Sequence, residues 1–434
     1  MKNSSLFQTI LLIIFGGALM VGILIFSGIL PGFRAKTVGV AGKITLWGTM
    51  PVDRASNFIE DLNEQGQGVF SVTYIEKDVS NINEELLEAL ASDVGPDAII
   101  LPQELIFQNR DKLYPVPFSS FTERQYSDTF VDGAKIFRST DGYLALPIGV
   151  DPLVLYYNKD LYTSANIITP PASWEEFLSN QSRLTLLDDN SRITQSAVAM
   201  GTSNNIYNFK NVLSLLSMQA GVSPVTFDGT KFTSKLFINE KGAFNPVQLA
   251  LDFYNQFSSP QRSTYSWNRS LPADRDYFLS GKLANYFGLA SEYPYIAARN
   301  PHLNFDVVAV PRLNKNANLT FGRFYGLAIL KKSTKLEASF NAVFSTVFSN
   351  KEAQLGDLLG LVPVKRLLVR EGNPNPYQQV FLNEALTSQA WADPYPDKTR
   401  EIFARMIDKS TSGLLSSSEA IIEADKELTL LLKK

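Results

Sequence analysis

Between Lys43 and Leu101 strand-like and helix-like segments alternate with little between them. KITLWG (43–48) is a short apolar strand. Residues 51–65 space Val52, Ala55, Phe58, Ile59 and Leu62 as a helix would. VFSVTYIE (69–76) reads as a strand. Residues 83–93 read as a helix with Leu86, Leu87, Leu90 and Ala91 on one face, and DAIIL (97–101) as a strand. This order predicts an open α/β unit with parallel strands. Ligands of such sheets sit beyond the carboxyl ends of the strands, where Trp47-Gly48 and Pro102-Gln103-Glu104 fall.

The 434 residues are too many for one ordinary core, so two domains are expected. The net charge of −3 gives no bulk electrostatic reason to expect a nucleic-acid partner. The chain has no cysteine, which excludes disulfides, thiol catalysis, cysteine-bound zinc and a cysteine-linked lipid. Its one histidine, His302, excludes a multi-histidine metal site within the chain and reads as a surface turn residue.

Leu6 to Leu30 carries no charge over 25 residues. At ~1.5 Å per residue this is roughly 37 Å of helix, enough for a ~30 Å hydrocarbon core. The apolar region of a secretory signal spans only about 7–15 residues. The reading is therefore a retained N-terminal transmembrane helix, with the body of the chain outside.

Farther on, Asn158 should cap a helix beginning at Lys159, and Ser173 with Glu176 predicts a capping box. Helices are expected over 207–220, ending at a left-handed Gly221, and over 246–258 with Pro246 in the first turn. LNFDVVAV (303–310) and GLAIL (326–330) read as strands, and 335–349 as a helix. Three helices, 377–390, 397–409 and 419–433, close the chain, the last behind a box of Ser416 and Glu419. Tyr156 and Tyr157 read as packing residues on alternate faces of a strand, and Trp174 as core.

LPIGVDPLVLYYNKDLYTSANIITPPASWEEF (146–177) resembles the extracellular solute-binding proteins of ABC importers, of the maltose and multiple-sugar type. KITLWG (43–48), ALASDVGPDAI (89–99), FLSGKLAN (278–285), GLAILK (326–331) with SNKEAQ (349–354), and GLVPVK (360–365) fit the same family in order. The resemblance spans residues 42–434. It implies a two-lobed α/β periplasmic-binding-protein-like fold of type II, with three hinge crossings near Pro152-Leu153, Tyr325-Leu327 and Leu361-Pro363. Residues 1–41 would be anchor and linker, 42–152 plus 326–362 lobe one, and 153–325 plus 363–434 lobe two.

The implied function is a membrane-anchored, extracytoplasmic substrate-binding protein, not an enzyme and without cofactor. It would be a monomer that delivers a sugar or oligosaccharide to ABC permease subunits. Alternatives are a non-sugar polar or phosphorylated solute, a sensor partner, and, remotely, an anchored carbohydrate-active enzyme using Glu104 and Asp151. Sugar sites need flat rings and planar polar side chains. The candidate ligand residues are Trp47, Gln103, Glu104, Asp151, Trp267, Ser291, Glu292, Arg323, Tyr325 and Trp391. Trp47 and Trp391 line the cleft or pack in a core, Asp151 faces the cleft or opens a proline turn, and Arg323 forks to an anion or pairs at the surface. Many relatives carry a tryptophan where this chain has Ser291-Glu292. Tyr293 or Trp267 would have to replace that ring.

Overall fold

The computed structural model describes residues 42–238, 245–314, 318–349 and 351–433. The apolar run 6–30, and with it the expected anchor, lies outside them. Among the described residues no helix is long and apolar enough to cross a membrane.

The first three strands form the expected parallel unit. Gly42–Gly48 pairs in parallel with Phe70–Glu76 on one side and Ala98–Pro102 on the other. The connecting helices are Val52–Gln65 and Ile82–Ala91. The first buries Ala55, Phe58 and Leu62, three positions on one helical face, against the sheet.

Beyond Ala98–Pro102 the sheet turns mixed. Thr320–Leu330 lies antiparallel to it, followed by Leu146–Asn158, Leu283–Leu289 and Ile193–Val198. Leu146–Asn158 runs unbroken through the crossing expected near Pro152-Leu153, and Thr320–Leu330 starts ahead of the strand read over 326–330. Arg323 and Tyr325 therefore sit within a strand and not before it. A charged residue between apolar ones reads as a loop, but here the ladder continues through it.

Leu146–Asn158 changes partners partway along. Leu146 to Pro152 pair with Gly322–Leu327. Leu153 to Tyr157 pair instead with Asn285–Leu289, and Leu155 to Asn158 with Phe305–Val308. Proline has no N–H to give to a ladder, which suits Pro152 to the place where one ladder hands over to the next. A third segment joins here: Val150 and Val362 exchange N–H···O bonds of 2.9 and 2.8 Å. Behind these strands the packing is too close for side chains at the glycines. A Cβ on Gly322 would lie 2.6 Å from the Ser388 Cβ, and one on Gly133 2.2 Å from the Ser388 carbonyl oxygen.

Local signals explain most helix ends. The Asn158 side chain accepts from the amides of Asp160 and Leu161, and Gly221 takes φ +91° after the helix Phe209–Gln219. Ser416 and Glu419 form a full capping box before Ser417–Leu431. Ser173 caps Trp174–Ser179, but Glu176 accepts from Ala172 N at 2.8 Å and so forms only half of the expected box. The other closing helices are Pro376–Thr387 and Pro396–Thr411.

Trp174 is buried and donates Nε1–H to Gln219 Oε1 at 2.8 Å, as a core residue should. Tyr156 is fully buried and Tyr157 packs edge-on against Tyr162. His302 lies in an exposed turn. A largely buried ion pair of Arg312 and Glu384 ties the approach to Thr320–Leu330 to the helix Pro376–Thr387. Arg312 also donates to the Leu319 carbonyl oxygen.

Candidate functional site

Asp151 is the penultimate residue before the change of partner, and it pairs in register with Arg323. Side chains of such a pair share one face of the sheet. The Asp151 carboxylate is buried and binds Ser291 with both oxygens. Oδ1 accepts from Ser291 N at 2.9 Å and Oδ2 from Ser291 Oγ at 2.6 Å. Ser291 lies two residues after the end of Leu283–Leu289, so this contact joins residues from both sides of the strand exchange. Burial pushes the Asp151 carboxyl up to about 6, although the two Ser291 bonds and the Arg323 charge pull it down.

On the other flank Arg323 Nε donates to Glu104 Oε2 at 3.1 Å, and Nη1 reaches the Tyr325 hydroxyl at 3.5 Å. Glu104 holds the guanidinium firmly in its charged form. Glu104, Arg323 and Tyr325 form one bonded group and Asp151 with Ser291 another, set side by side by the Asp151–Arg323 register in a single polar cluster. Arg323 does pair, with a carboxylate more buried than itself: Glu104 keeps 12% of its side-chain exposure and Arg323 36%.

Glu292 is held inside the protein, with Arg275 Nη1 3.8 Å from its Oε2. It accepts from Leu289 N at 2.8 Å, Tyr286 OH at 2.5 Å and Asn208 Nδ2 at 3.0 Å. Gln103, expected in the cleft, is buried, and its Oε1 accepts from Phe324 N at 2.9 Å. It therefore positions the hinge strand. Trp47 is also buried, with Lys77 Nζ 4.0 Å above its ring and no hydrogen-bond partner for its indole N–H among the described residues.

The remaining tryptophans are core residues. Trp267 is fully buried, donates to Asn205 Oδ1 at 3.1 Å and meets Tyr277 edge-on. Trp391 is buried, donates to Ser214 Oγ at 2.9 Å and stacks on Phe403. In both, the polar end of the ring is occupied inside the protein, and Trp391 also borders a cavity of about 300 Å³. Of the two stand-ins for the missing ring, Tyr293 is the one beside the cluster.

A cavity of about 400 Å³ opens next to Ser291. Its walls include Tyr293, Leu361, Asp357, Asn373, Tyr377 and Phe381. Tyr293 and Tyr377 stack face to face at 3.9 Å. The volume is in the range of small-molecule sites, about 300–1,000 Å³. Tyr377 was missed in the sequence. Asn375-Pro376 marks the start of its helix, but nothing local says which face that helix turns inward.

Asp274, outside the cluster, is buried. Its carboxylate accepts from Tyr207 N at 3.1 Å and Arg275 N at 2.9 Å, and burial pushes it up to about 7. A folded-state pKa above the unfolded value of ~3.9 means that the folded chain binds more protons between about pH 4 and 7. The contribution of Asp274 to stability is therefore largest below pH 4 and falls as pH rises through that window. Asp274→Asn removes the titration. Its stability relative to wild type is expected to rise by on the order of 2–4 kcal/mol between pH 4 and 7.5. Denaturant titrations at both pH values check this, and a flat difference would refute it.

Solved structures share the architecture. The cyclic α-maltosyl-1,6-maltose binding protein from Arthrobacter globiformis has a TM-score of 0.73 at 16% identity, covering 91% of this chain and 99% of that one. The sugar-binding protein MalE from Xanthomonas citri has a TM-score of 0.72 at 18% identity, covering 90% and 97%. UgpB from Mycobacterium tuberculosis, solved with glycerophosphocholine, has a TM-score of 0.68 at 16% identity, covering 91% and 99%. At these identities the likeness establishes the two-lobed α/β fold. No curated protein sequence matches the chain. Residues 57–365 match the family described as bacterial extracellular solute-binding protein, and a match over this much of the chain places the protein in that family.

Proposed function

We propose that this chain is a membrane-anchored, extracytoplasmic substrate-binding protein of an ABC importer, and that it closes two lobes on a carbohydrate-like solute. The observation that carries this reading is the polar cluster at the point where Leu146–Asn158 changes partners. The lobes we assign are 42–152 plus 326–362, and 153–325 plus 363–434. Asp151, held by Ser291, would accept solute hydroxyls, Arg323 would donate, and the Tyr293 ring would meet the C–H face of a sugar. A solute bound better by the closed form shifts the open–closed equilibrium towards closure.

The reading is supported by family membership and by structural neighbours whose names describe maltose-type ligands. The family is one of binding proteins, so we assign no reaction to Glu104 and Asp151. The uncharged run 6–30 would hold the receptor beside its permease and raise its local concentration.

Thermal unfolding of the full chain in detergent against mono- and oligosaccharides, polyols, amino acids and sugar phosphates tests the proposal. A solute at 100 times its Kd adds about 2.7 kcal/mol, a shift of several degrees. Asp151→Ala is expected to abolish that shift. A panel with no active compound, or a shift that survives Asp151→Ala, would refute the assigned site.

A further inference from the structure

The cavity beside Ser291 has one charged side chain in its walls, and that side chain is an acid. Asp357 lines it, while among the described residues no lysine, arginine or histidine does. The rest of the wall near Asp357 is apolar or aromatic, with Leu361, Tyr377 and Phe381. Among the described residues the Asp357 carboxylate meets neither a hydrogen-bond donor nor a cation. Partial burial pushes its carboxyl above the ordinary range, and no partner pulls it back. The residue stays exposed all the same, so a solute can reach it.

Two contacts tie this cavity to the hinge. Ser291 lines it and also gives its N–H and its hydroxyl to Asp151. Leu361 lines it and lies over Gly149, where a Cβ would come 2.7 Å from the Leu361 Cβ. Gly149 and Asp151 are two apart on one strand and so share a face. In the lobes assigned above, Asp357 and Leu361 belong to lobe one, Tyr293 and Tyr377 to lobe two. A solute in this cavity is therefore touched from both lobes.

A carboxylate without a counter-charge in such a wall repels anions and gains from a cation. The stacked pair of Tyr293 and Tyr377 adds aromatic rings, whose faces attract cations as well. The adjoining polar cluster does not offset the charge, because it sets two acids, Glu104 and Asp151, against the one guanidinium of Arg323. We infer that Asp357 binds a positively charged amino group of the solute, and that the solute class is an amine-bearing saccharide. This rests on the reading that the hinge cleft is the solute site. Closure on such a solute would place its ammonium between Asp357 of one lobe and the tyrosine pair of the other.

Calorimetric titration of the full chain with the β-1,4-linked dimer of glucosamine, its N-acetylated counterpart and maltose tests the inference. The amine dimer is expected to bind at least about tenfold tighter than either neutral probe and to weaken as salt is raised. Asp357→Asn, which keeps the shape and removes the charge, should cost that dimer about tenfold or more in affinity, and Asp357→Glu should recover part of the loss. The comparison of probes and the salt dependence are read on the unaltered protein and so stand even where a variant folds poorly. Binding of a neutral probe as tight as that of the amine dimer would overturn the amine class and leave the solute-binding reading standing. Amine binding that is indifferent to salt and to Asp357→Asn would overturn the role of Asp357. Failure of all three probes would overturn the amine class and count against the carbohydrate reading as well.

Discussion

Arg312→Met is expected to lower the unfolding free energy by about 3–5 kcal/mol near pH 8, the range seen when one partner of a buried ion pair is removed. Glu384 keeps only 2% of its side-chain exposure and Arg312 15%. Burial already pushes the Glu384 carboxyl up to about 7, against the pull of Arg312, and one of its oxygens has no partner among the described residues. Without the guanidinium, this carboxylate must stay charged in an apolar setting or take up a proton. The sign with pH follows. Glu384 titrates higher folded than unfolded, so its contribution falls as pH rises through about 4.5–7. The deficit of Arg312→Met should therefore shrink at pH 5, where the acid can be neutral. The double variant Arg312→Met with Glu384→Met should regain most of the loss. Denaturant titrations at pH 5 and 8 decide it. A deficit under about 1 kcal/mol at pH 8 would mean that the pair behaves as a surface pair.

Trp267→Ala should cost about 3–5 kcal/mol in stability while leaving solute affinity within a few-fold of wild type. The ring is fully buried, and its N–H ends on Asn205, whose amide also bonds the carbonyl oxygens of Asn268 and Leu271. Truncation leaves a cavity and removes one of the two donors to Asn205 Oδ1, the other being Thr202 Oγ1. Unfolding midpoints and titration calorimetry on one preparation separate the two effects. Lost binding with unchanged stability would place Trp267 in the cleft after all.

The tryptophans show where sequence reading stops. Ring type says that a residue is large and flat, but not which way it points, and Trp267 and Trp391 lie in segments with no periodicity to orient them. Where periodicity was strong, as in Val52–Gln65, the element and most of its buried face could be read, although Val52 itself is exposed. Asp151 could be found because a lone acid in an apolar strand must be accounted for. Arg323 was found, but its pairing was not, because Glu104 comes from a strand end 219 residues away.

The split strand also sets an order of assembly. Thr320 is made 174 residues after Leu146 (320 − 146), which at about 5–20 residues per second is roughly 9–35 s of synthesis. Until then Ala98–Pro102 and the first half of Leu146–Asn158 lack the strand that belongs between them. Two apolar edges, with Ile99 and Leu101 on one and Ile148 and Val150 on the other, stay open to any other strand. The partners of the later half, Leu283–Leu289 and Phe305–Val308, precede Thr320 in the chain. The part of the sheet that begins first is thus the part that closes last. The nascent chain is most exposed to mispairing in the region that will later hold Asp151.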